Sequence, residues 1–552
     1  MTTPSGPAEP APDHARLIAD GRATLGIEFG STRIKACLVD EHFETIASGS
    51  HEWENEFVDG RWTYSVKAIL AGLQSSYANL VSDVRKAFGV VPERFAAIGV
   101  SAMMHGYLAS DARGELLVPF RTWRNSSTGQ AAAELSAALR FNVPLRWSVA
   151  HLYQAVLDGE AHTARIASTT TLAGYVHRAL TGRDVLGVGD ASGMFPIDPA
   201  TSRYDETMLD VAQELFAARS SELVLSDLLP EVLVAGQAAG ELTVDGAALL
   251  DPSGALRPGI PFCPPEGDAG TGMVATNSTA PRTGNVSVGT SIFAMVVLDA
   301  PLGGVHPELD VVTTPVGDAV AMVHCNNGAS ELAAWARVFG RFAEAAGSPA
   351  SVDDVYATLL DEALASDPDA GGLLAYNYLA GEPVTGVDDG RPLLLRTPES
   401  SFTLGNLIRA EVYAAFATLS IGMEALADED VRVDRLLAHG GLFRTPGAAQ
   451  QLLAAALRVP IAVESTASEG GAWGIAVLAS YLRAASRTSL ADFLGSEVFG
   501  RSSAVTVAPK TEDLDGFAAF LARYRQALPL QRAAASATPT GSASAPEKGT
   551  AS

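Results

Sequence analysis

The chain has 552 residues, a formal charge of −25 at pH 7, 47% hydrophobic and 18% charged residues. That length exceeds one ordinary core and that composition is globular, so two large domains or several small ones are expected. So acidic a surface repels nucleic acid and anionic membrane, and an anionic ligand needs backbone dipoles, a divalent cation or single basic residues to be held.

The three cysteines, Cys37, Cys263 and Cys325, show no C-x-x-C spacing. This excludes a disulfide scaffold and a zinc-finger pattern and fits a reducing, cytoplasmic setting. Residues 1–22 are rich in Pro and Ala without an apolar core, so a disordered tail is expected there rather than a secretory signal. Strand-like runs follow at Thr24–Phe29, Ile34–Val39 and Ala97–Ser101, then at Val286–Val288, Ile292–Leu298 and Leu436–Ala438. Amphipathic helical stretches lie at Val66–Phe88, Gly129–Leu139, Leu404–Leu426 and Ala448–Leu457. Strands alternating with helices predict an α/β fold. No uninterrupted apolar run approaches the ~20 residues of a membrane span. Residues 531–552 again read as a small, polar, disordered tail.

One internal repeat organises the rest. LGIEFGSTRIKACLVD (Leu25–Asp40) aligns with NVSVGTSIFAMVVLD (Asn285–Asp299) without a gap, Gly30 on Gly289 and Ser31-Thr32 on Thr290-Ser291. Each copy predicts strand, tight Gly-Ser/Thr turn, strand, and the pair predicts two related domains, 23–278 and 279–530, facing one cleft. Glycine at a turn permits φ > 0 and close approach of backbone to an anion; the following N–H groups and hydroxyls add donors. Two such hairpins suit a polyphosphate. Neither a Walker A sequence nor a G-x-G-x-x-G between strand and helix is present, which argues against P-loop and Rossmann sites.

These hairpins resemble the two phosphate motifs of the actin, Hsp70 and hexokinase superfamily. Further segments resemble the FGGY carbohydrate kinases, the ribulose and xylulose kinases among them: Ser101–Gly106 (SAMMHG), Phe120–Asn125 (FRTWRN), Asp190–Gly193 (DASG), Glu266–Gly270 (EGDAG), Ser287–Ser291 (SVGTS) and His439–Gly441 (HGG). The likeness covers roughly residues 24–480 and implies two actin-like (ribonuclease H-like) domains. It also implies an ATP-dependent kinase of a small sugar, with Mg²⁺, a pentulose as the expected acceptor, and a homodimer as a family expectation.

The resemblance assigns residues. Asp268 takes the place of the general base, although a Gly-flanked turn also favours Asp on structural grounds. Glu28 stands where the family carries an Asp that holds Mg²⁺ through water, and adds one methylene; a plain strand carboxylate is the alternative. Gly30, Ser31, Thr32, Gly289, Thr290 and Ser291 are the expected phosphate contacts. Gly440 and Gly441 are expected beneath the adenosine, with His439 replacing a common glycine. Met104, His105 and Gly106, with Trp123 and Arg124, are the expected sugar contacts, joined by Asp268; Asn125 would add a hydroxyl partner. Asp190 is expected in the cleft wall. Lys35 is either a phosphate ligand or a solvated strand residue, and Gly471 either lines the nucleotide pocket or packs a helix. Asn326, Asn327 and Glu331 are candidates, on local polarity, to close the sugar site from the second domain. A regulatory ATPase of the same fold is the rival reading. It would want a peptide-binding β-domain, for which the C-terminal tail leaves no room. A sugar-responsive repressor would want a helix-turn-helix that residues 1–22 do not supply.

Overall fold

The computed structural model describes residues 13–443, 447–463, 470–500 and 504–538. They form two compact units. Unit 1 contains residues up to Pro281 together with Asp310–Val320 and Thr466–Ser502, and unit 2 the remainder.

In unit 1, strands β1 (Thr24–Phe29), β2 (Arg33–Val39), β3 (Thr45–Glu52), β4 (Ile98–Ala102) and β5 (Glu266–Gly267) form one sheet, in the order β5-β4-β1-β2-β3. The first three make an antiparallel meander, while β4 runs parallel to β1 and β5 parallel to β4. β1 is buried at almost every position, as a strand covered on both faces must be. Helix Val66–Phe88 presents Ile69, Leu73, Tyr77, Leu80 and Val84 to the core at helical spacing; Ser65 caps its start and Gly89, at φ 72°, ends it. A Cβ on Gly49 would lie 2.2 Å from the Ser76 carbonyl of that helix. On β1, a Cβ on Gly26 would lie 2.1 Å from the Ala472 carbonyl of helix Gly470–Tyr481. Glycine at both places lets two helices press on the sheet.

Unit 2 repeats the plan. β6 (Thr283–Val288) and β7 (Ile292–Val297) form the second hairpin; β8 (Ala319–Cys325) lies beyond β7. β9 (Arg435–Gly440) runs parallel to β6 and β10 (Ile461–Val463) parallel to β9, with β11 (Val505–Val507) antiparallel at the edge. Helix Leu404–Asp428 is long and apolar enough by composition to cross a membrane, but 78% of its most apolar stretch is buried in the protein. It is the core helix of unit 2.

Every predicted strand and helix is present, with ends moved by at most a few residues. The hairpins differ from the gapless alignment in one respect. Phe29 pairs with Ile34 across the first turn, whereas Val288 pairs with Ile292 across the second, so the first loop is one residue longer. The division also departs from the expected single cut after residue 278: helix Gly470–Tyr481 packs on β1 and so falls in unit 1. Parts of the expected tails 1–22 and 531–552 are ordered: helix His14–Ala19 buries Leu17 and Ile18, and helix Thr511–Ala537 buries Gln531; residues 1–12 and 539–552 lie outside the described residues.

Candidate active site

Parallel strands β1, β4 and β5 end together, and loops at the carboxyl ends of parallel strands are where α/β sheets bind ligands. The chain delivers Gly30–Thr32 after β1, Met103–Gly106 after β4 and Asp268 after β5. Most of the expected unit 1 site is therefore one neighbourhood.

Asp268 opens helix Asp268–Ala275, and its Oδ1 accepts the Met104 N–H at 3.1 Å. Its side chain reaches solvent, yet protein crowds it closely enough that burial raises its pKa. The N–H groups of Met104, Ala269 and Asp268 itself, and the charge of Arg146, act the other way. A carboxyl so held is aimed and accessible, as a base for a hydroxyl group must be.

His105 and Gly106 both occupy positive φ, 67° and 90°. A histidine in that region is strained, and such strain is kept where the surroundings impose it. Here His105 is buried, stacked on Trp147, with Nδ1 3.4 Å from the Gly193 carbonyl; a Cβ on Gly193 would lie 2.7 Å from that nitrogen. Burial and the neighbouring Arg146 hold its pKa well below the ordinary value, so the ring is neutral. Segment Asp190–Gly193 is thus the seat of His105.

Behind Asp268 lies a buried acid pair. The Glu266 carboxylate accepts the N–H groups of Gly189 and Asp190 at 3.3 and 3.0 Å. It occupies space that a Cβ on Gly187 or Gly189 would enter, at 2.2 and 2.5 Å from its oxygens. Asp190 accepts the Thr171 hydroxyl at 2.6 Å. Burial first, then Asp190, raises Glu266 to about 8; burial, then the charge of Asp268, raises Asp190 to about 7.

Glu28 ends up in a more constrained place than its sequence position implies. Its Oε2 accepts the Ala472 N–H at 3.2 Å at the start of helix Gly470–Tyr481, and a Cβ on Gly471 would lie 2.4 Å from its Oε1. Gly471 therefore clears room for this carboxylate. Lys35 stands opposite Glu28 in the hairpin register, and its charge favours the ionised carboxylate. Burial dominates nonetheless and lifts Glu28 to about 7, with Asp268 adding to the effect. A second carboxylate within electrostatic reach is a donor set that Mg²⁺ accepts, since that ion takes one or two carboxylates and completes its shell with water and phosphate. Among the described residues no group of three or more His, Cys, Asp or Glu could hold a metal ion unaided.

The Gly30–Thr32 turn is held from beneath. Trp53 Nε1 donates to the Gly30 carbonyl at 2.8 Å, Tyr64 OH to the Ser31 carbonyl at 2.6 Å, and Trp53 N–H to the Thr32 carbonyl at 3.2 Å. Trp53 and Tyr64 stack at 4.0 Å. In unit 2, the N–H groups of Gly328 and Ala329 hold the Thr290 and Gly289 carbonyls at 2.7 and 2.8 Å. Each hairpin thus has its carbonyls engaged inward, and Ser31, Thr32, Gly289 and Thr290 are exposed. This arrangement, rather than a left-handed glycine, makes the candidate anion cradle: neither Gly30 nor Gly289 has positive φ. Gly440 does, at φ 112°, where a Cβ would meet the Val288 carbonyl at 2.2 Å. Gly441 begins the next turn with open space beside its Cα. His439 lies opposite Ser287, its pKa lowered by burial.

Several expected contacts are already committed. Asn327 binds the N–H groups of Leu379 and Ala380 and the Glu382 carboxylate, and Asn326 binds the Gly381 carbonyl. Both brace the 379–382 loop of unit 2, a correction to the expectation that local polarity marked sugar ligands. Glu331 instead faces the buried Glu411. Asn125 ties down both backbone groups of Trp62 and the Thr122 carbonyl. Trp123 is exposed, and the Arg124 guanidinium lies 4.0 Å over the Trp62 ring. The residues sequence reasoning missed are Trp53, Tyr64 and Arg146, while Glu266 was named within EGDAG without a role. For Trp53 and Tyr64 the available signal was two aromatics in a polar stretch; for Arg146 there was none.

A hairpin followed by parallel strands, repeated in each unit, defines the two-domain actin-like architecture, and the cradles suit phosphate. Residues 23–274 match the N-terminal domain and residues 284–483 the C-terminal domain of the FGGY family of carbohydrate kinases. The chain belongs to that family, whose members are ATP-dependent sugar phosphotransferases. No curated protein sequence matches it at a significant level. Its fold is similar to that of a xylulose kinase from Rhodospirillum rubrum, with TM-score 0.74 at 20% identity over 92% of this chain and 99% of that one. A gluconate kinase from Lactobacillus acidophilus gives 0.73 at 18% identity, over 94% and 99%. A Plasmodium falciparum glycerol kinase with ADP gives 0.69 at 14%, over 92% and 98%. At these identities the likeness is one of fold.

Proposed function

We propose that this kinase transfers the γ-phosphoryl group of ATP to a hydroxyl of a pentulose, L-ribulose or D-xylulose, at the carbon-5 position. Asp268 is the base. It accepts the hydroxyl proton late, because phosphoryl transfer is loose and positioning supplies most of the acceleration. Met104, His105 and Gly106 orient the sugar, the neutral His105 keeping Nε2 as an acceptor while Nδ1 donates to the Gly193 carbonyl, with Trp123 and Arg124 as further contacts. The N–H and hydroxyl groups of Gly30–Thr32 and Gly289–Ser291 bind phosphate, and Gly440 and Gly441 admit the nucleoside. Mg²⁺, when bound, neutralises phosphate charge, and Glu28 would hold it through water. The single observation carrying the reading is Asp268: a solvent-accessible carboxylate at a strand's carboxyl end, aimed by the Met104 N–H.

The test is ADP release by the purified chain across pentuloses, hexuloses, polyols and aldonates, repeated with Asp268→Asn. A pentulose is expected to stimulate release most, and the variant to bind sugar but lose on the order of 10²-fold or more in turnover. Near-normal turnover in the variant removes Asp268 from the mechanism. ADP release indifferent to every acceptor favours the regulatory-ATPase reading.

A further inference from the structure

The loop after β4 is pinned at both ends. Its Met104 N–H binds Asp268, and its Gly106 N–H binds the Arg146 carbonyl at 3.1 Å; Ser148 Oγ binds the Gly106 carbonyl at 2.5 Å. Arg146 is thereby fixed beside the acceptor site, and its charge is felt at both Asp268 and His105. Its guanidinium does not face the site unpaired. It forms an ion pair with Asp310, whose other oxygen accepts Asn142 Nδ2 at 3.3 Å. Both partners are mostly buried, with side-chain exposures of 24% and 13%. Asp310 comes from a short segment, Asp310–Val320, that packs into unit 1 although its chain neighbours on either side lie in unit 2. That segment is anchored by Thr313, whose N–H binds Ser192 Oγ at 3.1 Å and whose hydroxyl binds the Val188 carbonyl at 3.0 Å.

Around the acceptor site Asp268 is joined by the carboxyls of Glu28, Asp190 and Glu266, which burial lifts to about 7, about 7 and about 8. On the basic side stand Lys35, set opposite Glu28, Arg124, held over the Trp62 ring, and Arg146, paired with Asp310. A sugar acid placed against Asp268 would meet a carboxylate there, and the Arg146 guanidinium is already paired.

We propose that Asp310 is a specificity-determining residue that masks Arg146 and restricts the acceptor to uncharged sugars, excluding aldonates. This rests on the reading of the Asp268 site as the sugar site, and it separates this chain from kinases of sugar acids with the same fold. The device is repulsive: it costs the wrong substrate its counter-ion rather than adding a contact for the right one.

The experiment compares kcat/KM for D-xylulose, L-ribulose and D-gluconate in the wild-type chain and in Asp310→Asn, with gluconate also added as an inhibitor of pentulose turnover. The wild type is expected to use a neutral sugar and to be neither served nor inhibited by gluconate at equal concentration. In Asp310→Asn the gluconate-to-pentulose ratio of kcat/KM is expected to rise roughly tenfold or more, since Arg146 is released to a carboxylate. A wild type that phosphorylates gluconate as well as any neutral sugar, or is inhibited by it at equal concentration, overturns the proposal even if the variant fails to fold. So does a folded Asp310→Asn protein with an unchanged ratio. ADP release that no acceptor of either charge stimulates overturns the sugar-kinase reading itself, and the proposal with it.

Discussion

Replacing Glu28 by Gln is expected to stabilise the protein at alkaline pH while impairing it as a kinase. Burial raises the Glu28 carboxyl from the usual 4.5 to about 7, against the opposing charge of Lys35 and the N–H groups of Ala472 and Gly471. The gap corresponds to about 3 kcal/mol against the ionised form. The folded protein binds the proton more tightly than the unfolded chain. Stability contributed by Glu28 is therefore full below about 4.5, falls as pH rises, and is lost above about 7. Gln has no charge to bury and keeps an acceptor for the Ala472 N–H. The variant should match the wild type near pH 5 to within about 1 kcal/mol and exceed it by about 3 kcal/mol at pH 8.5, a gain of several degrees in melting temperature. Calorimetry of both proteins at the two pH values measures this directly. With Mg²⁺ and ATP present, the wild type should recover much of the alkaline loss and the variant should not, because a cation beside Glu28 favours the carboxylate. Phosphoryl transfer should fall in Glu28→Gln at every pH. A melting difference that is the same at pH 5 and pH 8.5 would falsify the burial argument.

Tyr64→Phe deletes the hydroxyl that holds the Ser31 carbonyl; it should cost about 1 kcal/mol of stability and raise KM for ATP several-fold more than KM for sugar, read from steady-state kinetics. The adjacent glycines 440 and 441 should behave differently. Gly440→Ala forces a Cβ against the Val288 carbonyl at 2.2 Å and should destabilise unit 2 or prevent its folding. Gly441→Ala meets nothing within 4 Å, so it should melt like the wild type and alter only nucleotide binding, measured by calorimetric titration with ADP. Asp513→Ala strips the buried partner of Arg409, whose side chains are 3% and 1% exposed, and should cost about 3–5 kcal/mol in a denaturant melt.

The sequence by itself determined the α/β class, the positions of the main strands and helices, the doubled Gly-Ser/Thr hairpin and the place of Asp268. These are local properties. Apolar periodicity declares a strand or helix, and a glycine followed by hydroxyls declares a turn, whatever packs around it. Only the tertiary structure decided what individual polar groups do, because that depends on partners far away along the chain. Glu28 meets the N-terminus of a helix 444 residues further on, and burial there lifts it to about 7, which its place in the motif does not reveal. Trp53 and Tyr64 hold the first turn through its carbonyls, so the cradle owes its shape to side chains outside the motif, and its glycine needs no left-handed φ. Asn327, polar and well placed in sequence, spends its hydrogen bonds on a neighbouring loop. Arg146 carries no motif at all; only the fold brings it to Asp310, 164 residues away. A motif can announce a turn or a base, but whether a charge is free, paired or neutralised is settled by long-range packing, where desolvation outweighs local preference.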